Sequence, residues 1–151
     1  MVAAEMERAE REEQLVAFCL ANETYGMDIS LIHEIIRLRE ITQIPRTAPD
    51  IEGVINLRGK IVPILDLRKR LGLPAVERTA ATRIIVVEVA DCTVGVVVDA
   101  VTGVLRLSDA NIEPPSELVN DLDAETIRGV GKTEEKLVIL LDMPKVLRVA
   151  A

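Results

Sequence analysis

Apolar and polar residues alternate along this chain in runs of four to eight, the pattern of short, half-buried β-strands. The alternation predicts strands at 14–21 and 24–29 around a turn at Asn22-Glu23, then a helical turn over 30–34 with Ser30 as N-cap, then a strand at 35–38. An irregular loop containing Pro45, Pro49 and Asp50 leads to a hairpin with arms 53–57 and 61–66. It turns at Arg58-Gly59-Lys60, where Gly59 supplies a positive φ. Asp66 is placed to cap a short helix, 67–71, which Gly72 and Pro74 end.

The second half repeats this order: strands at 83–90, 93–99 and 103–107, a hairpin over 127–141 and a helix over about 142–149. A shift of 69 lays Leu15–Ile29 on Ile84–Val98 and brings Gly26 onto Gly95. A shift of 76 lays Ile51–Leu71 on Ile127–Leu147, matching Gly53 with Gly129, Lys60 with Lys136 and Asp66 with Asp142. The second copy therefore carries an insertion between about Asp109 and Glu125, where Pro114, Pro115 and Asn120 read as loop. A period near 70 points to two fused small domains and not to a solenoid. Five short strands and one helix per copy predict a mainly β fold of two tandem five-stranded SH3-like β-barrels with short helices. The expected division is a flexible tail at 1–13, a first barrel at 14–76 and a second at 77–151, together one unit, with 74–82 as linker. Whether strands exchange between the barrels is left open. Halves of about 65 residues are marginal alone, so they should pack on each other. The run VGVVV, 94–98, should be buried on both faces.

Composition narrows the function. With 49% hydrophobic and 28% charged residues the chain is globular and not disordered. Phe18 and Tyr25 are the only aromatic residues, which weighs against recognition by stacking on bases, sugars or polyproline. A net charge of −7 is the wrong sign for nucleic acid or anionic lipid. Arg68-Lys69-Arg70 reads as the C-terminal face of the short helix, complementing its dipole. The acidic start and the lack of any apolar run of 18 or more residues predict a cytoplasmic protein with no membrane insertion. Cys19 and Cys92 have no CxxC or histidine neighbour and read as reduced thiols.

The sequence carries no complete catalytic or metal-binding motif. Gly131-Lys132-Thr133 resembles the end of a phosphate-binding loop, but the required glycine five residues before Gly131 is Thr126, and a strand follows where a helix is needed. His33 is the only histidine, so paired-histidine metal sites and recognisable triads are excluded. The acidic run from Asp121 to Glu125 lacks the glycine and terminal glutamate of a calcium loop. No enzyme, metal or cofactor is expected.

The copies differ most at the first hairpin, EGVINLRGKIVPILDLR, where Asn56, Leu57, Arg58 and Gly59 face Lys132, Thr133, Glu134 and Glu135 of the other copy. Either NLRG is a plain tight turn, or Arg58 is held by a carboxylate such as Glu34 and orders a surface used by a partner. Together with YGMDISLIHEI from Tyr25 and VGVVVDAVTGVL from Val94, this hairpin closely resembles the CheW coupling proteins of bacterial chemotaxis, over about residues 14–149. The resemblance implies a non-catalytic adaptor joining the cytoplasmic tips of chemoreceptors to the regulatory domain of the histidine kinase CheA. Such an adaptor would be a monomer in isolation and part of receptor arrays. It further implies an apolar groove between the barrels that takes a receptor helix, here Ile29, Ile32, Ile35 and Val101 with Val104 nearby, and sensitive positions at Gly53 and Arg58. The insertion around Glu117 and Leu118 and the strand ends of the second barrel are the implied kinase contacts. Ile29 and Ile35 have a competing assignment to the core. Arg83 departs from the family pattern by opening a strand where an apolar residue is usual, and a coupling module of a pathway other than flagellar chemotaxis fits the same residues.

Overall fold

A computed structural model describes residues 11–45, 48–115 and 125–148. The first copy supplies strands β1 (Glu12–Leu20), β2 (Glu23–Asp28), β3 (Ile32–Arg37), β4 (Ile51–Leu57) and β5 (Lys60–Asp66) and helix α1 (Leu67–Arg70). The second supplies β6 (Arg83–Val89), β7 (Cys92–Val98), β8 (Ala100–Ser108), β9 (Ile112–Glu113), β10 (Ile127–Lys132), β11 (Leu137–Leu141) and helix α2 (Met143–Leu147). Asp66 and Asp142 cap the two helices as their spacing predicts, Asp66 accepting from the backbone N–H of Arg68 and Lys69 and Asp142 from that of Lys145.

Four local expectations shift. Residues 12 and 13, expected in the flexible tail at 1–13, belong to β1, Glu12 pairing with Ser108 and Glu13 with Leu107 of β8. The first turn is Ala21-Asn22, not Asn22-Glu23, because Leu20 pairs with Glu23; both turn residues have positive φ, as a type I′ hairpin demands. The helical turn is a single 3-10 turn, Ile29–Leu31, opened by Asp28 and not Ser30: the Asp28 carboxylate accepts from the Ser30 N–H at 2.9 Å. β3 then starts at Ile32, because a bulge between Ile32 and Glu34 interrupts the alternation there.

The structure is mainly β, with two sheets, and each takes strands from both copies. One runs β8-β1-β2-β11-β10-β9 and the other β3-β6-β7-β5-β4. The exchange is reciprocal: β1 and β2 join the last strands of the second copy, while β6 and β7 join the last strands of the first. The sheets therefore do not divide at residue 76. The joins are parallel in both cases, β2 to β11 and β7 to β5. Each sheet also closes on itself. Chain leaving β3 returns to pair Thr42 with Val54 of β4, and chain leaving β8 returns as β9 to pair Glu113 with Val130 of β10. Val54 and Val130 are repeat-equivalent, and so are the neighbouring Gly53 and Gly129. A Cβ on Gly53 would lie 2.1 Å from the Thr42 carbonyl oxygen, and one on Gly129 would lie 2.7 Å from that of Glu113. The shared glycines are there because the returning backbone crosses over them.

Three apolar clusters hold this together. One is internal to the barrel containing β3 and includes Ile55, Val62, Ile64, Ile84 and Val86. Another, inside the barrel containing β1, consists of Leu15, Leu107, Val138 and Leu140. The largest lies between the barrels and joins Phe18, Leu20, Tyr25 and Met27 to Ile85, Val87, Val96 and Val98. Strand β6 thus sends Ile84 and Val86 inward and Ile85 and Val87 to the shared core, as a strand buried on both faces must. Of the run 94–98, residues 95–98 are buried as expected, while Val94 is half-buried. No helix among the described residues is long and apolar enough to cross a membrane.

Candidate docking surface

The edge strands β3 and β8, one from each barrel, border the shared core. Antiparallel partners directly opposite each other project to the same face. Ile32 is opposite Val87 and Ile35 opposite Ile85, so both point to the inter-barrel side of their sheet. Val101 is opposite Phe18 and Val104 opposite Val16, on the corresponding side of the other sheet. Ile32 and Val101 are half-buried and pack against the shared core, whereas Ile35 and Val104 are 39% and 57% exposed. The core assignment for Ile35 is thereby excluded. These four residues form an apolar margin that continues the shared core out to solvent, with one wall from each barrel.

Ile29 lies apart from that cluster. Half-buried in the 3-10 turn, it lines an open cleft with Gln14, Asp28 and Arg106. Arg106 follows Val104 by two residues and so shares its face, which makes this cleft a polar extension of the apolar margin. Gly53 is buried beneath Thr42 and offers no surface to a partner; any sensitivity there acts through barrel closure. Glu117 and Leu118 lie outside the described residues.

Arg58 sits at the tip of the β4–β5 hairpin with φ 53, followed by Gly59 with φ 84. These are the two central residues of a type I′ turn, where asparagine or glycine fits best and arginine is held at a cost in backbone strain. Asn56 secures the turn by accepting from the Gly59 N–H at 2.8 Å. The guanidinium forms a bidentate pair with Glu34 of β3, Nη2 donating to Oε1 at 2.9 Å and Nη1 to Oε2. Of the two possibilities the sequence left open, the carboxylate-held arginine is therefore the one formed. Its hydrogen bonds hold the Glu34 carboxyl below its ordinary value, against a weaker opposing effect of burial. The pair is ionised at neutral pH and opens only as pH falls through that lowered value. Arg58 is 71% exposed. The pair is correspondingly a positioning device, tying the hairpin tip to the edge strand, more than a source of stability. His33 lies between two carboxylates, 3.7 Å from Glu34 and 3.4 Å from Glu88.

The residues that mimic a phosphate loop are accounted for by the second hairpin: Lys132 ends β10, its Nζ meets Glu113 Oε1 at 2.6 Å, and Thr133 bonds Lys136 across the turn. Among the described residues no group of three or more His, Cys, Asp or Glu could hold a metal ion.

What this arrangement can do is hold an elongated apolar partner against two β edges beside a clamped hairpin. The family model of the CheW-like domain matches residues 14–151. The chain is 39% identical over 135 residues to the chemotaxis protein CheW of Klebsiella aerogenes, covering 89% of this chain and 81% of that one. It is 35% identical to the CheW of Bacillus subtilis over 89% and 86%, and 31% identical to Protein FrzA of Myxococcus xanthus over 95% and 90%. The crystal structure of the scaffolding protein TtCheW from Thermoanaerobacter tengcongensis superposes with a TM-score of 0.85 at 40% identity, covering 92% of this chain and 94% of that one. A mainly β pair of strand-exchanged barrels and a match across nearly the whole chain agree, and the protein belongs to the CheW family.

Proposed function

We propose that this protein is a non-catalytic cytoplasmic adaptor coupling chemoreceptors to the histidine kinase CheA. The observation that carries this reading is the pair of exposed aliphatic residues, Ile35 and Val104, continuing a shared core between two barrels. Such a seam suits an amphipathic helix, which needs aliphatic walls and no aromatic ones. A receptor tip is the helical partner that family membership supports. CheA, whose regulatory domain is itself CheW-like, would use the strand ends of the second barrel, with Glu117 and Leu118 among its contacts. Likeness to FrzA, a relative not named for chemotaxis, favours a second reading in which the same surfaces serve another chemosensory pathway.

The test is reconstitution of receptor, CheA and this protein with receptor-dependent kinase activity as readout. Activation is expected only when the protein is present; activity independent of it rejects the adaptor role. Ile32→Asp is expected to bind receptor at least about tenfold more weakly while melting as a folded domain, since Ile32 is half-buried at the margin. Unfolding of that variant would instead make Ile32 a core residue. Arg58→Asn suits the type I′ turn and removes the Glu34 clamp, so its melting temperature should not fall while kinase activation does. Normal activation by this variant would show that the clamp has no part in coupling.

A further inference from the structure

The two walls of the docking margin are copies of each other. At the shift of 69, Ile32 falls on Val101 and Ile35 on Val104, and the same shift brings Arg37 onto Arg106. Each arginine follows the outer aliphatic residue of its wall by two positions. Both therefore project to the docking face, about 6–7 Å further along the strand. Both are exposed.

Neither arginine is held in an ion pair among the described residues. Arg58, Arg68, Arg70, Arg78 and Arg128 are each held by a carboxylate. No such pair forms at Arg37 or Arg106 among the described residues. Arg37 instead stands in register opposite Arg83, an arrangement of like charges that disfavours the empty surface. Arg83 is fixed there by donating to the Ala80 and Thr82 carbonyls at 2.8 and 2.9 Å. At the other wall the Gln14 side-chain amide, with its oxygen turned inward, accepts from Arg106 at 3.3 Å. Glu12, Glu13 and Asp28 line the same cleft; Glu13 is paired with Arg128 and Asp28 caps Ser30, while Glu12 shares the cleft without forming an ion pair with Arg106. In a chain of net charge −7, arginines without an ion pair at matching positions on both walls need a reason.

We infer that the margin takes a helix whose apolar stripe is flanked by acidic side chains, one for each arginine-bearing wall. The spacing beyond the aliphatic residues corresponds to about one helical turn. This rests on the helix-docking reading above and adds to it a rule for the partner's sequence: carboxylates one turn beyond the stripe, where other helices would present neutral or basic residues.

The experiment measures binding of a chemoreceptor cytoplasmic fragment to the full chain at low and high salt. Arg37→Glu and Arg106→Glu are each expected to weaken binding about tenfold at low salt, with the neutral Arg→Gln changes intermediate. The deficit should shrink near 0.5 M salt, where exposed charges are screened within about 4–5 Å. Lys136→Glu, at the tip of the second hairpin, should change nothing. Arg37→Glu should melt no lower than the unaltered protein, because it relieves the repulsion with Arg83. Exchanging the flanking carboxylates of the fragment for lysines should restore binding to Arg106→Glu. Unchanged affinity in both arginine-to-glutamate variants, alongside lost binding in Val104→Asp, would overturn the charge rule while leaving the docking site in place. Normal binding by Val104→Asp and Ile35→Asp would remove the docking site and the charge rule together.

Discussion

Gly53→Ala is expected to destabilise the protein by about 3 kcal/mol or more, although it adds a single methyl group. The glycine has φ 146, a region that residues with a side chain rarely enter, and its Cβ would meet the Thr42 carbonyl oxygen at 2.1 Å and Ile41 Cγ2 at 2.9 Å. The obstruction is backbone, and that backbone is fixed by two 2.9 Å hydrogen bonds, Thr42 N–H to the Val54 carbonyl and Val54 N–H to that of Thr42. Accommodating the methyl means breaking the bridge that closes the barrel. Gly59→Ala is the control: it also has positive φ but nothing within 4 Å of the added carbon, so it should cost only about 1–2 kcal/mol. Urea denaturation midpoints decide between them. Equal losses would mean that backbone conformation alone governs both sites and that closure adds nothing.

Arg68→Ala is expected to cost about 2–4 kcal/mol at neutral pH. The side chain is buried, its Nε and Nη2 bond Asp99 at 2.8 and 2.6 Å, and Nη1 bonds the Pro74 carbonyl at 2.7 Å. Asp99 also accepts from the Ala21 N–H at 3.1 Å, so the network runs from α1, through the β7–β8 junction, to the β1–β2 turn of the other barrel. Removing the arginine strands a partly buried carboxylate and the Pro74 carbonyl. Asp99 being partly exposed keeps the loss below that of a fully buried pair. Its hydrogen bonds to Arg68 hold the Asp99 carboxyl below its ordinary value. A depressed carboxyl contributes its stability in full above the unfolded value near 4 and loses it as pH falls through the folded one. The stability gap between the unaltered protein and Asp99→Asn should therefore be widest at neutral pH and narrow progressively on acidification below pH 4. A gap that stays constant down to pH 2 would mean that the ion pair is not its source.

Much of this was legible before any coordinates. Alternation located the strands, Asp66 and Asp142 marked both helix starts, and the repeat shifts paired Gly53 with Gly129. Strand exchange was not legible, for a physical reason. Because the copies are equivalent, β1 and β2 meet nearly the same complementary surface on β4 and β5 as on β10 and β11, so local pattern satisfies both pairings. The choice is made at long range. At the candidate docking surface, Arg58 and its Glu34 partner could be foreseen because only one copy has them. Gly53 reads with the contact residues because function-sensitive positions and surface positions look alike in a sequence. Arg37 and Arg106 are aligned by the shift of 69, but solvent-facing arginines carry no signal in a sequence, which does not show whether an ion partner lies within reach.

The reciprocal exchange makes each half of this chain the ligand of the other. Neither copy can complete a barrel from its own strands, so the fold is in effect an intramolecular complex, and the linker at 74–82 sets the concentration at which the halves meet. Short flexible tethers hold such partners at millimolar effective concentration. At ordinary protein concentrations a half from another molecule cannot compete, and the chain closes on itself. Where copies of this protein are crowded together, the local concentration of foreign halves rises toward that of the tethered one. A newly made chain then has two chemically identical ways to finish folding, and only the tether favours the solitary one.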